Sequence, residues 1–332
     1  MKYLIVGDYN HEFYENALVN GLKSIGINSV KYKIDNSCGL IRRHLDFYRL
    51  LLINLSFINF VVKNDKFSKT IFYRVNDIHF FSILLIKFRL GKIITIHNDR
   101  PYSSLRLFIN NLHFFSICFF ASYKLIYRVS DKQFYDRLGY GKTILFPPHF
   151  CNSLHKNLIY NDFFNKKNKF VVFIGHFEND ERIEYIDYLF KKKIPIKIYG
   201  NYLWKPIVKQ MGWDKIFIEG HLNPKAYTKL LSSSWICLGF ISKNNNDTYT
   251  RRFLEIPASG SILASKKISV PFWNFKDDEN YIVYNSPEDL YKKLLKIKNN
   301  YDKLIYMTTL SYNDIAVDSN SEIGAANLIN KL

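Results

Sequence analysis

A chain of 332 residues is long for one domain and comfortable for two, so each half can bury a core of ordinary size. Apolar residues at 48% and charged residues at 23% exclude a disordered or fibrous class. The 47 basic and 29 acidic side chains leave a net charge of +18, which suits nucleic acid, an anionic membrane surface or an anionic small substrate. The lysines are spread along the chain without a nucleic-acid motif. That argues against nucleic acid and favours a surface working beside anionic lipid, with a merely solvated basic surface as the alternative.

In chain order, "KYLIVG" (2–7) is an apolar run closed by glycine and reads as a buried strand. "EFYENALVNGLKSIG" (12–26) has helical periodicity, and "NSVKYK" (28–33) returns as a strand. Strand-like runs follow at "TIFYRV" (70–75), "KIITIHND" (92–99), "KLIYRVS" (124–130) and "KTILFPP" (142–148), with helical stretches between most of them. Such βαβα order predicts an α/β unit with a parallel sheet covered by helices on both faces. Two apolar runs, "FYRLLLINLSFINFVV" (47–62) and "LHFFSICFFASYKLIY" (112–127), are too short and too interrupted to cross a membrane and are expected to be buried helices and strands.

Residues 151–168 lose periodicity, gather Asn and Lys, and read as a linker. The pattern restarts at "KFVVFIG" (169–175), with a helix from about Glu181, then "PIKIYG" (195–200), "IFIEG" (216–220), a helix from Asn223-Pro224, and "WICLGF" (235–240). Strands ending in Gly175, Gly200 and Gly220 mark edges where the backbone turns sharply or a ligand approaches closely. The last stretch, 311–332, is weakly patterned and is expected to pack back on the first domain. Cys38, Cys118, Cys151 and Cys237 lack metal-like spacing, and "MKYLIVGDYN" begins a strand instead of a signal peptide, so a reducing cytoplasm is the expected location.

"DTYTRRFLEIPASGSILAS" (247–265) reads as a helix, a small-residue turn and a buried strand. Thr248, Arg252, Glu255 and Ser259 fall on one helical face. A helix N-terminus near Thr248 to Thr250 suits a diphosphate, Arg252 adds a fork of donors, and Glu255 can accept both hydroxyls of a ribose. The plain alternative is a solvated Arg252–Glu255 pair on a surface helix.

Other candidates are Gly175 and Arg182 in "GHFENDER" as a second phosphate contact, or an exposed helical arginine. Gly200 and Gly220 with His221 either frame base and ribose or form plain turns. His97, Asn98 and Asp99 end a buried strand, where polar groups are costly unless they line a cleft. Asp99 is the first choice for a general base or a sugar-positioning acid, with Asp8 and His11 after the first strand as alternatives. GxGxxG and P-loop motifs are both missing, which argues against dinucleotide-dependent oxidoreductases and P-loop NTPases.

"NNNDTYTRRFLEIPASGSILAS" (244–265) resembles the signature of the CgeB-like, or spore-maturation-protein-like, glycosyltransferases, related to the glycosyl transferases group 1. "YRVSDKQFYDRLGYGKTILFPPHF" (127–150), "FIGHFENDERIEYI" (173–186) and "FKDDENYIVYNSPEDLYKKLLKI" (275–297) resemble other segments of that family. The resemblance covers about residues 90–300. It departs at Ser259-Gly260-Ser261, where the family has Cys-Gly-Gly, and at "RFLE" for "RxFE", which moves an aromatic but leaves Arg252 and Glu255 in register.

The resemblance implies a GT-B fold: two Rossmann-like, doubly wound domains facing each other across a cleft. The expected parts are an acceptor-side domain over 1–150, a linker over 151–168, a nucleotide-sugar domain over 169–310 and the returning segment 311–332. It further implies Glu255 on ribose, Thr250 and Arg252 on diphosphate, and Asp247, the first acid of an E-x7-E-like pair, near the donor sugar.

The expected activity is transfer of a sugar from a nucleotide-sugar to a hydroxyl of a surface-glycan or lipid-linked acceptor, at the inner face of the cell membrane. No cofactor and no metal are expected, because the chain has no Asp-x-Asp triplet and no ligand-spaced His/Cys cluster. Arg252, aided by Arg182 or Lys243, would then meet the diphosphate charge. A nucleotide-sugar epimerase of the same architecture and a non-catalytic glycan- or coat-associated binding protein are the rival expectations.

Overall fold

The structure, a computed structural model, describes residues 1–10, 12–34, 47–155, 163–220, 222–242, 248–268 and 273–332. The chain divides into two units, Met1–Pro147 with Glu322–Leu332, and Pro148–Ser321.

The first unit is built on six parallel strands: β1 (Lys2–Gly7), β2 (Asn28–Lys33), β3 (Lys69–Tyr73), β4 (Lys92–His97), β5 (Tyr123–Ile126) and β6 (Lys142–Leu145), in the order β2-β1-β3-β4-β5-β6. Its central strands are apolar on both faces because both are covered, as parallel sheets require. Alternate residues Leu4, Val6, Phe72 and Ile93 meet Phe57, Val61, Ile83, Ile86 and Ile117 from the helices Phe47–Lys63, Phe80–Leu90 and Leu112–Phe120. The opposite face, with Tyr3, Ile5, Ile71 and Ile94, meets Leu18 and Leu22 of helix Ala17–Ser24 and Ala326 and Ile329 of helix Glu322–Lys331.

Gly21 lets these two helices touch, since a side chain there would overlap the Glu322 carbonyl. Lys69 fastens the last helix by donating to the carbonyls of Ile329 and Asn330 at 2.9 and 2.7 Å.

The second unit carries β7 (Lys169–Ile174), β8 (Ile196–Gly200), β9 (Phe217–Glu219), β10 (Ser234–Gly239), β11 (Ile262–Ser265) and β12 (Tyr281–Val283), all parallel, in the order β12-β11-β10-β7-β8-β9. Val171, Phe173, Ile198, Ile236 and Leu238 form its core with Trp204 and Trp213. Strand order reverses between β1 and β3 in the first sheet and between β7 and β10 in the second. In open α/β sheets, ligands bind beyond the strand C-termini at such a switch point.

Two expectations are corrected. Where described, residues 151–168 are not a linker but part of the second unit: Asn152–His155 is helical with His155 fully buried. Lys167 lies inside, donating to the carbonyls of Ser232, Ser234 and Gly260 at 3.1, 2.7 and 2.6 Å. Its ammonium also lies over the Phe163 and Trp235 rings, 4.8 and 5.3 Å from their centroids, and burial lowers its pKa to about 7. A Lys- and Asn-rich composition looks solvated, but three carbonyls supply what water would have given the ammonium.

The apolar runs at 47–62 and 112–127 are not wholly buried either, for Leu52, Leu55 and Phe119 are exposed. Among the described residues no helix is long and apolar enough to cross a membrane.

Candidate functional site

At the switch point of the second unit, β7 runs into Gly175, whose carbonyl accepts from the Trp204 indole at 2.9 Å. A Cβ on Gly175 would stand 2.7 Å from the Phe173 ring and 3.1 Å from Nη1 of Arg252. The fold thus brings Gly175 and Arg252 together across a long stretch of sequence. Arg252 opens the helix Arg252–Ala258, and its guanidinium has no hydrogen-bond or ion-pair partner among the described residues. Two residues earlier, the buried Oγ1 of Thr250 also lacks a partner. A half-buried guanidinium and a buried hydroxyl without protein partners are free to meet a ligand or water.

The rest of the expected polar stripe disperses. The helix starts at Arg252, so Thr248 lies outside it and is exposed, while Ser259 is buried behind its end. Only seven residues are helical, so an anion site made by a helix end at 248–250 is not present. Glu255 is buried rather than solvated. Its Oε2 accepts from the Tyr227 hydroxyl at 2.8 Å, and its Oε1 lies 3.8 Å from both Arg251 Nε and His155 Nε2.

Burial pushes the His155 pKa down, with Glu255 opposing, so the charged partner of Glu255 is Arg251 at i−4 and not Arg252. Burial, with Glu255 next, raises the Tyr227 pKa well above the ordinary phenol value, so it donates as a neutral hydroxyl.

Arg182 is also corrected. It is buried, grips Asp180 through two hydrogen bonds of 2.7 and 2.8 Å, lies 3.2 Å from Glu178, and donates to the His176 carbonyl at 2.8 Å. Its donors hold the 176–182 loop. Gly200 has a packing reason, because the Trp204 indole occupies the space of its missing side chain. His11, His221, Lys243 and Asp247 lie outside the described residues.

At the switch point of the first unit, β1 ends in Gly7 with Asp8 next, and β3 ends before Arg74. Tyr9 and Arg74 both hold left-handed backbone, φ 54° and 55°, a strained choice for non-glycine residues that concentrates at functional sites. Arg74 Nη2 pairs with Oδ2 of Asp99 at 3.2 Å, and the Asp99 side chain stays 52% exposed.

Asp99 does not cap the next helix, Leu105–Asn110. Ser104 does, accepting from the Leu107 amide at 3.2 Å. His97 leaves the catalytic set: its ring is buried edge-on against Phe114 and its Nδ1 accepts from the Asp99 amide at 3.2 Å. Burial first of all lowers its pKa to about 4, so it is a neutral core histidine that shapes the Asp99 turn. Asp8 Oδ1 accepts from the Asn10 amide at 3.1 Å, leaving Oδ2 for other use.

The residue missed from sequence is Glu15. It sits on the π-helical turn Glu12–Asn16, a form that recurs at functional sites, and is 1% exposed with Oε2 unpartnered. A side chain at Gly7 would collide with its carboxyl group. The available signal was an acid at 15 in line with Leu18 and Leu22, on the buried stripe of the helix.

Burial above all, and the charge of Asp8, raise its pKa to about 7, with Arg74 opposing. Native Glu15 therefore holds its proton above the ordinary value of 4.5, and the stability this gives is full below 4.5 and lost as pH rises through 7. Relative to Glu15→Gln, the wild type should lose up to about 1.4 kcal/mol of unfolding free energy per pH unit across that window. Taking the difference cancels His97 and His149, held near 4 and 3 by burial, which act in the opposite sense. Denaturant melts at several pH values check this, and parallel curves would contradict it.

A glycosyl transferase-like family model matches residues 181–307, a stretch that holds Arg252 and Glu255 but leaves out Gly175 and the first unit. No curated protein sequence matches the chain. Solved structures match over its whole length. Sucrose-phosphate synthase from Thermosynechococcus elongatus gives a TM-score of 0.70 at 10% identity, covering 100% of this chain and 98% of that one. Anabaena HepE in complex with UDP and glucose gives 0.64 at 12%, with 100% and 98% covered. A UDP-N-acetylglucosamine 2-epimerase gives 0.58 at 10%, with 99% and 94% covered. The fold is GT-B. At such identities the likeness carries architecture alone.

Proposed function

We propose that the protein is a glycosyltransferase, of the CgeB-like kind its sequence resembles, moving a sugar from a nucleotide-sugar to a hydroxyl of a surface-glycan or lipid-linked acceptor at the inner face of the cell membrane. The observation that carries this reading is the unpartnered Arg252 guanidinium over Gly175 at the β7/β10 switch point, inside the region that matches the glycosyl transferase-like model. The UDP bound by HepE makes a uridine nucleotide the first donor to try.

Arg252 and Thr250 receive the diphosphate, and Glu255, held by Tyr227 and Arg251, offers a lone pair to the ribose diol. Asp247, Lys243 and His221 complete the donor contacts. The first unit receives the acceptor. Asp99, fixed by Arg74, accepts the hydroxyl proton as the new glycosidic bond forms and the bond from sugar to diphosphate breaks, or it holds the reacting sugar; Asp8 and His11 are the alternative bases. The charge that gathers on the leaving diphosphate is met by Arg252. Turnover should accordingly persist in EDTA, and a loss restored by Mn²⁺ or Mg²⁺ would contradict that.

The test of the reaction class is release of nucleoside diphosphate from nucleotide-sugars with and without a lipid-linked acceptor. Release that requires acceptor supports transfer. A changed sugar without acceptor would make the protein an epimerase, and binding without any product would make it a binding protein.

A further inference from the structure

The helices Phe47–Lys63, Phe80–Leu90, Leu105–Asn110 and Leu112–Phe120 contain no Asp or Glu; their charges are Arg49, Lys63, Lys87, Arg89 and Arg106. Three of them pack inward on the first sheet, yet their outer sides are just as apolar, with Leu52, Leu85 and Phe88 at 67%, 66% and 68% exposure. Among the described residues, 16 of the 26 exposed large apolar side chains lie between Tyr48 and Phe119, although that span is 72 of 332 residues.

The helices adjoin one another. Arg89 donates to the carbonyls of Val61, Val62 and Asn64, Phe80 packs on Phe120 at 4.9 Å, and Phe108 on Phe115 at 5.0 Å. A soluble surface rarely keeps a contiguous apolar patch of this kind unless something covers it.

Charge decides what covers it. The four helices carry five Lys and Arg and no carboxylate, and the exposed Lys87 sets its ammonium 5.1 Å from the Phe120 ring, over the apolar surface. Apolar helices without carboxylates, none of them long enough to span and with basic residues around them, have the chemistry of elements that lie in a membrane interface rich in anionic lipid. We propose that this four-helix face of the first unit is the docking surface for an anionic lipid bilayer. The proposal deepens the reading of a lipid-linked acceptor and rests on it for its purpose, but its test needs no catalysis.

The test is flotation of the full chain with phosphatidylcholine vesicles and with vesicles also containing phosphatidylglycerol. The wild type should float with the anionic vesicles and be released by high salt. The triple variant Leu52→Asn, Leu85→Asn, Phe88→Asn should partition roughly tenfold or more weakly, with unchanged melting temperature and unchanged nucleotide affinity, since all three residues are exposed. The pair Lys63→Glu and Arg106→Glu should lose the preference for anionic lipid.

A wild type that floats with neither vesicle, or a triple variant that floats like the wild type, overturns the proposal. So does sedimentation without vesicles showing a dimer that the triple variant breaks, which would give the face to a second copy of the chain. Vesicle binding without any nucleotide binding would reject the donor reading and leave this one standing.

Discussion

Replacing Arg252 by alanine should weaken binding of the nucleoside diphosphate roughly 10- to 100-fold and lower kcat/KM about a thousandfold or more, with the fold intact. A charge-assisted hydrogen bond to a phosphate oxygen is worth about 1.5–3 kcal/mol, which is about one to two decades in affinity. The further loss in rate arises because the diphosphate gains charge as it leaves, and a preorganised donor aimed at that charge is worth about 10²–10³ in turnover. Arg252 is a clean position for this test. It has no partner among the described residues, so its removal orphans no buried carboxylate.

Glu255→Ala is a poorer probe, because the Tyr227 hydroxyl and Arg251 would be left facing a void and stability would fall with affinity. Arg252→Lys should restore part of the binding and less of the rate, since an ammonium keeps the charge but not the planar fork. Unchanged affinity and rate in Arg252→Ala would remove the β7/β10 switch point from the donor site.

Asp99→Asn should cut turnover about 100-fold or more while donor affinity and melting temperature barely move. Asn keeps the size of Asp but cannot take a proton. The carboxylate is half exposed and, among the described residues, forms an ion pair only with Arg74, and an exposed pair of this kind is worth about 0–1 kcal/mol. A stabilising role as a helix cap is ruled out by Ser104, which already caps Leu105–Asn110. The backbone amide that orients His97 is the same in both proteins. Measuring kcat, donor Kd and melting temperature on one preparation separates the roles: a normal rate with a lowered melting point would move the base to Asp8 or His11.

Eleven of the twelve strands were legible, most of them because parallel sheets buried on both faces leave continuous apolar runs ending in glycine or a polar residue, as "KYLIVG" and "KFVVFIG" do. Their order was not, since the reversal between β7 and β10 depends on crossovers that local pattern does not encode. Spacing paired Arg252 with Glu255, but the adjacent Arg251, about 100° around the helix, is what meets Glu255. Spacing alone also cannot show that Asp180 and Glu178 already consume Arg182. The apolar run at 47–62 was read as core from composition, because two apolar faces of one helix look like one when counted along the chain. Glu15 was hidden for the converse reason: a single acid in an amphipathic helix reads as solvated until Gly7 is seen against it.

The measurement that bears most directly on the donor site is a calorimetric titration of nucleoside diphosphates, UDP first, into the wild type, Asp99→Asn and Arg252→Ala. One nucleotide should bind the wild type and Asp99→Asn at a single site with similar affinity, and Arg252→Ala at least tenfold more weakly. If one binds all three proteins equally, the unpaired guanidinium over Gly175 is not a phosphate site; if no nucleoside diphosphate binds at all, the glycosyltransferase reading fails.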